Sequence, residues 1–110
     1  MEVKRGDIVI VTHGELGRPR PAVIVQTDEL GSTTTTVLVC PITSELTDRL
    51  PIRPAVAPRP ENGLRVPSQI MTDKLASLPR ERLRRVIGAI DGATRERLDT
   101  ALLLVLGLAR

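Results

Sequence analysis

The 110-residue sequence contains no phenylalanine, tyrosine or tryptophan. Aromatic rings carry the largest apolar areas a core can use, so this core has to be aliphatic, assembled from Val, Leu, Ile and Ala. An aliphatic core in so short a chain is modestly stable, and surface buried in a dimer would add to it. The same absence excludes two functions. Single-strand readers of the RRM and OB type stack bases on aromatic platforms. Readers of methylated lysine hold the ammonium in an aromatic cage. If this chain binds nucleic acid, it must use guanidinium groups, backbone amides and hydroxyls.

The length fits one domain, residues 1–110. Hydrophobic residues are 41% and charged residues 26% of the total, as in soluble globular proteins. The longest nearly unbroken apolar run, Ala101 to Ala109, is interrupted by Gly107. It is about half the roughly 20 residues a membrane helix needs, so no membrane association is expected. No long apolar segment follows the charges of Met1–Asp7, so no secretory signal is expected. One cysteine and one histidine make neither an internal disulfide nor a zinc site of the usual kind. The expectation is a cytoplasmic, reduced protein without metal or cofactor.

Net charge is +3, unevenly spread. Residues 1–79 hold nine basic and nine acidic groups; residues 80–110 hold seven basic and four acidic. Fourteen of the 16 basic residues are arginine. Arginine forks onto phosphate or carboxylate bidentately, which lysine cannot do. Arginine richness also follows from GC-rich coding, so charge alone does not establish an anionic partner.

Val3 to Val11 reads as a strand, with the continuous apolar run Ile8–Val11 expected of one buried on both faces. Thr12 to Pro21 is a loop with two glycines and two prolines. Ala22–Gln26 and Thr34–Val39 are β-branched strands, separated by a turn at Asp28–Gly31. Ile42–Ser44 is a strand end or turn. Four prolines between Asp48 and Pro60 leave room only for an irregular edge strand, Leu50–Val56. Leu64–Leu75 fits a strand, Ser77–Leu83 a single helical turn, and Val86–Ile90 a short strand. Asp91 or Thr94 then caps a helix running to the C-terminus. Leu98, Ala101, Leu102, Val105, Leu106 and Ala109 lie on one face of that helix, and Leu103, Leu104 and Leu108 widen it. Either the helix is wedged deeply, or a partner covers a second surface. The pattern predicts an α+β domain, a small curved sheet or open barrel with a C-terminal helix.

The phosphate fingerprints are absent, and so is the metalloprotease H-E-x-x-H. None of the serines stands in a nucleophile elbow. Cys40 ends a buried strand and reads as structural. The loop from His13 to Pro21 is the most unusual stretch. It presents His13, Glu15, Arg18 and Arg20, either as scattered charges on a solvated hairpin or as a site for a polyanion. Arg20 stands between Pro19 and Pro21, whose fixed φ angles restrict its backbone. A pre-organised guanidinium meets a phosphate at little ordering cost.

Three blocks occur in order: Lys4-Arg5-Gly6-Asp7-Ile8-Val9; then Gly14-Glu15 with Arg20-Pro21-Ala22-Val23-Ile24-Val25-Gln26; then Val39-Cys40-Pro41-Ile42-Thr43-Ser44. Together they resemble the MazF/PemK toxin family, small endoribonucleases of bacterial toxin–antitoxin pairs. The resemblance continues through Val66-Pro67-Ser68-Gln69-Ile70 and the C-terminal helix, covering nearly the whole chain. It implies an SH3-like small β-barrel of the CcdB/MazF type with a C-terminal α-helix, assembled as a homodimer. It also implies metal-independent, sequence-specific cleavage of single-stranded RNA, leaving 2′,3′-cyclic phosphate and 5′-hydroxyl ends. A cognate antitoxin protein is the implied partner.

Residue by residue, Arg20 matches the family's catalytic arginine and Thr43 its threonine, which would donate to a phosphate oxygen. Glu15 matches an acidic residue five positions before the arginine and would act as base or position a base or the arginine; His13, in the same loop, is a general-base candidate. Arg18, Ser44, Gln69 and Lys74 are the expected RNA-binding residues. Many members carry arginine after the Gln-Ile pair, where this chain has Met71. Lys74 or Arg65 would have to replace that charge. The Arg80, Arg82, Arg84 and Arg85 cluster would serve RNA, the antitoxin or solvation. The competing reading is a catalytically silent module, or a gyrase-poisoning relative. Such poisons depend on a C-terminal tryptophan, and residues 107–110 contain none.

Overall fold

A computed structural model describes residues 1–12 and 17–109. The expectations for His13 and Glu15 lie outside the described residues. In chain order the elements are β1 (Asp7–Val11), β2 (Arg20–Ile24), β3 (Thr36–Thr43), β4 (Ala55–Val56), β5 (Ser68–Ile70), β6 (Ala76–Pro79), β7 (Leu83–Ala89) and α1 (Gly92–Val105). Short 3₁₀ turns occupy Asp28–Leu30, Thr72–Lys74 and Arg80–Arg82.

All strand pairings are antiparallel, in the order β4-β5-β3-β2-β1-β7, with β6 also on β3. β3 organises the sheet. Its Thr36–Val39 half pairs with β6, and Ile42 and Thr43 pair with β5. The sheet therefore curls into a half-barrel, the expected α+β class.

Strand alternation sends buried residues to two faces. Ile8, Val23, Cys40 and Ile42 pack with Ile70, Ile90 and Leu98 beneath α1. Val9, Val11, Ala22, Ile24, Val37 and Val39 fill the inside of the curl with Leu78 and Leu83. This is the aliphatic core that the missing aromatics require. Each large side chain in it contributes about 1.5–3 kcal/mol by burial.

Several expected boundaries are corrected. β1 begins at Asp7 rather than Val3, because Lys4–Asp7 is a turn: the Asp7 amide donates to Lys4 O (3.0 Å) and Gly6 has φ 94°. β2 begins at Arg20 and ends before Val25. There the Val25 and Gln26 amides both donate to Leu38 O, at 3.0 and 3.3 Å, forming a bulge. β3 runs on through Pro41 to Thr43, since Pro41 lies where β3 changes partner from β6 to β5. The edge strand expected at Leu50–Val56 shrinks to Ala55–Val56.

The single strand expected over Leu64–Leu75 is only Ser68–Ile70, followed by the Thr72–Lys74 turn. Buried Thr72 donates its hydroxyl to Ile52 O there. The helical turn expected over Ser77–Leu83 is strand β6 and then the Arg80–Arg82 turn. β7 begins at Leu83 rather than Val86.

The helix starts as expected. Asp91 caps it by accepting from the Thr94 amide (2.8 Å), which holds the Asp91 carboxyl below its usual range. It does not reach the C-terminus. Gly107, at φ 73°, ends it in a turn that satisfies the last carbonyls, with Leu108 N donating to Leu103 O at 2.8 Å. The helix is not wedged deeply either. Leu98 and Ala101 are buried, whereas Leu104, Leu106 and Leu108 are 53%, 53% and 64% exposed.

Candidate active site

The first block of the family pattern is a structural bracket. Arg5 donates from Nε to Val25 O (3.0 Å) and from Nη2 to Asp99 of α1 (2.7 Å). Arg95 of α1 returns a bond to Arg5 O (3.0 Å). A Cβ on Gly6 would lie 2.3 Å from Arg95 Nη2, so only glycine lets the helix dock there without displacing that side chain. Lys4-Arg5-Gly6-Asp7 therefore ties the helix to β1 and β2.

The candidate site is at one end of the curl. A cleft of about 600 Å³ is lined by residues that include Arg20 and Pro21 of β2, Pro41, Ile42 and Thr43 of β3, and Ser44, Met71 and Lys74. Two-residue periodicity makes this convergence. Arg20 shares a strand face with the inward-facing Ala22 and Ile24; Thr43 shares one with Val37 and Val39. Cross-strand pairing sets Arg20 opposite Val11 and Ala22 opposite Pro41. The two side chains thus rise from adjacent strands at the same open end.

Thr43 Oγ1 accepts from the Glu45 amide (3.0 Å). A hydroxyl that accepts on one lone pair keeps its own proton to donate, and this bond holds the oxygen in place. Arg20 is exposed, and among the described residues neither it nor Lys74 forms an ion pair. Both line the cleft, together with the acidic Glu45.

Four of the six described expected site residues, Arg20, Thr43, Ser44 and Lys74, therefore share this cleft. Arg18 is exposed and outside its lining. Gln69 pairs with Thr43 across the strands, but its amide is spent on Thr47. It donates to Thr47 O (2.8 Å) and accepts from Thr47 N (3.1 Å). Its visible work is to hold the loop that follows Ser44.

The cleft that Met71 lines also holds a guanidinium that the sequence does not mark. Arg53 lines the cleft; Arg65 does not. Arg53 Nε and Nη2 each donate to one carboxylate oxygen of Asp73, both at 2.9 Å. This bidentate pair pulls the Asp73 carboxyl below its ordinary value and pushes the Arg53 guanidinium up. Arg53 sits in the four-proline segment, and no sequence signal marks it, because its position depends on a partner 20 residues away.

Two other sequence features resolve as structural. Burial pushes the Cys40 thiol up to about 12, so it is an inert core residue. Within the arginine cluster, Arg80 is bonded to the carbonyls of Thr34 (2.7 Å) and Gly31 (2.8 Å), while Arg84 and Arg85 are exposed on β7.

A curled antiparallel half-barrel with a C-terminal helix, open at one end on a cleft that bears basic and hydroxyl side chains, defines a small α+β class of protein. The family model described as PemK-like, MazF-like toxin of type II toxin-antitoxin system matches residues 4–106, and the chain belongs to that family. It is 36% identical over 109 residues to the probable endoribonuclease MazF of Mycolicibacterium smegmatis, covering 97% of this chain and 99% of that one. It is 30% identical to endoribonuclease MazF9 of Mycobacterium tuberculosis, over 97% and 94% of the two chains. Among solved structures, Mycobacterium tuberculosis toxin MazF-mt6 superposes with a TM-score of 0.82 at 26% identity, covering 94% of this chain and 99% of that chain.

Proposed function

We propose that this chain is the toxin of a toxin–antitoxin pair and cleaves single-stranded RNA in the Arg20–Thr43 cleft. The observation that carries the reading is the convergence of Arg20, Thr43, Ser44 and Lys74, from three separate stretches of sequence, on one cleft. The relatives of 36% and 30% identity, both named endoribonucleases, support it over the silent and gyrase-poisoning alternatives.

The ribose 2′-oxygen attacks the adjacent phosphorus. The bond from O2′ to phosphorus forms and the bond to O5′ breaks, giving a 2′,3′-cyclic phosphate and a 5′-hydroxyl. A base takes the proton from the 2′-hydroxyl, and a proton is delivered to the departing 5′ oxygen. Arg20 stabilises the charge that grows on the phosphorane. Thr43 donates its proton to a non-bridging oxygen, with its oxygen fixed by the Glu45 amide. Ser44 and Lys74 hold flanking phosphates. His13 and Glu15 are the candidates for the base.

The chain works as a cytoplasmic homodimer, with the exposed leucines at the end of α1 covered by the second copy. A solved relative of 24% identity is titled an endoribonuclease in complex with its cognate antitoxin. Here the antitoxin would lay an acidic, partly apolar segment into the same cationic cleft and block it. No described helix is long and apolar enough to cross a membrane. The test is cleavage of a long unstructured RNA. Arg20→Ala and Thr43→Val should each fold and lose about 10²-fold or more in rate. Wild-type rates in both would move the site elsewhere.

A further inference from the structure

Arg53 lines the cleft and is paired with Asp73, which lies outside the lining, so that the two charges cancel. A neutral pair is a poor holder of phosphate, since a phosphate would feel the carboxylate as well as the guanidinium. What the pair retains is hydrogen-bonding geometry. Asp73 occupies the Nε/Nη2 edge of Arg53 and locks the guanidinium plane. The Nη1/Nη2 edge is a second fork of two parallel N–H groups, and among the described residues Nη1 has no partner. The cleft it faces has a mixed lining: Met71, Ile42, Pro41 and Ala76 give it apolar surface, beside the polar Thr43, Ser44, Glu45 and Lys74. The Met71 amide donates to Pro41 O (2.8 Å), which holds that side chain's backbone against β3. A thioether is a polarizable contact for an aromatic face, in a chain with no aromatic ring of its own to offer.

We propose that Met71 and the Arg53–Asp73 pair form a nucleobase-reading subsite beside the Arg20–Thr43 phosphate site, making Arg53 a specificity-determining residue. This rests on the endoribonuclease reading. The base lies against Met71, and the free fork of Arg53 meets two adjacent acceptors on its edge. Guanine offers such a pair in O6 and N7, and cytosine in O2 and N3. Adenine puts its amino donor between N1 and N7, and uracil puts N3–H between its carbonyls; neither matches the fork. Met71 is then a working part of the groove rather than a defect where relatives carry charge.

The test is to cut a pool of randomised single-stranded RNA with the full-length protein and sequence the new ends. The wild type should cut at sites with guanine or cytosine fixed at one position. Arg53→Gln and Arg53→Lys should relax that position by about tenfold or more, while the other positions of the motif persist. Arg53→Lys keeps the charge and loses the fork, so it separates base reading from simple electrostatics. A substrate-side arm needs no variant: where guanine is the fixed base, 7-deazaguanosine should slow wild-type cutting. Lys74→Ala should slow all sites alike and flatten the salt dependence, as a phosphate contact does. An unchanged motif in both Arg53 variants, with or without a uniform loss of rate, overturns the inference. A folded wild type that makes no cuts overturns the endoribonuclease reading and this one with it.

Discussion

Gly88→Ala and Gly92→Ala are the same substitution four residues apart, and the structure gives them opposite signs. At Gly88, near the end of β7, an added Cβ would lie 2.4 Å from Glu61 O, 2.5 Å from Asn62 C and 2.6 Å from Asn62 Cα. All three neighbours are backbone, so no side chain can swing away. To restore an ordinary contact the 59–63 loop has to retreat by about 1 Å, and overpacking of this kind costs about 1–3 kcal/mol. That retreat strains the bond from the Ala89 amide to Glu61 O (2.9 Å). It also disturbs Asn62, which is 4% exposed. The Asn62 amide accepts from Arg59 N (3.1 Å) and Leu64 N (2.9 Å) and donates to Ala57 O (2.9 Å). One weakened bond adds about 1 kcal/mol, for a total of about 2–4 kcal/mol. In a domain of this size that lowers Tm by about 8–16 °C. Gly92, the first residue of α1, has nothing within 4 Å of the same added atom. There the substitution reduces the freedom of the unfolded chain and stabilises by about 0.4–1 kcal/mol. Urea unfolding of both variants and the wild type, at one fixed protein concentration, measures the difference. If Gly88→Ala unfolds within about 0.5 kcal/mol of the wild type, the close approach of the 59–63 loop to β7 is refuted.

Two further outcomes follow from the geometry. The Asp73 carboxyl titrates below its unfolded value because Arg53 bonds its charged form. Its contribution is therefore present above the ordinary carboxylate range and is lost as pH falls through the lowered folded value. Asp73→Asn should accordingly flatten the acid limb of stability against pH, and an unaltered acid limb would show the pair to be energetically silent. The exposed leucines of α1 should be covered in a homodimer at micromolar concentration. Sedimentation should give the dimer mass for the wild type and a shift toward monomer for Leu106→Glu; a monomeric wild type would refute the covered face.

Much of this architecture is legible in the residues themselves. The run Ile8–Val11 and the β-branched stretch at 22–24 pack on both faces, which is why unbroken apolar runs located them. Asp91 caps α1 through its own side chain, a local signal needing no tertiary knowledge. The misread segments depend on distant partners. Residues 64–75 divide into a short strand and a turn because Thr72 bonds Ile52 O and Arg53 clamps Asp73, contacts about 20 residues apart in the chain. β6 forms because β3 offers it an edge, and the helical turn that Pro79 signals is confined to Arg80–Arg82. In the cleft, Arg20 and Thr43 were marked by their blocks, whereas Arg53 lies in a proline-rich stretch that carries no pattern. Gln69 was marked too, yet its amide holds Thr47, a role visible only in three dimensions.

The central claim is that this cleft cleaves RNA through the 2′-hydroxyl with Arg20 at the phosphate. The most direct measurement is to incubate the purified protein with a long unstructured RNA in excess EDTA and map the ends. The account predicts discrete cuts bearing 2′,3′-cyclic phosphates and 5′-hydroxyls, lost in Arg20→Ala. Intact RNA from a folded wild type, or cuts with 3′-hydroxyl ends, would contradict it.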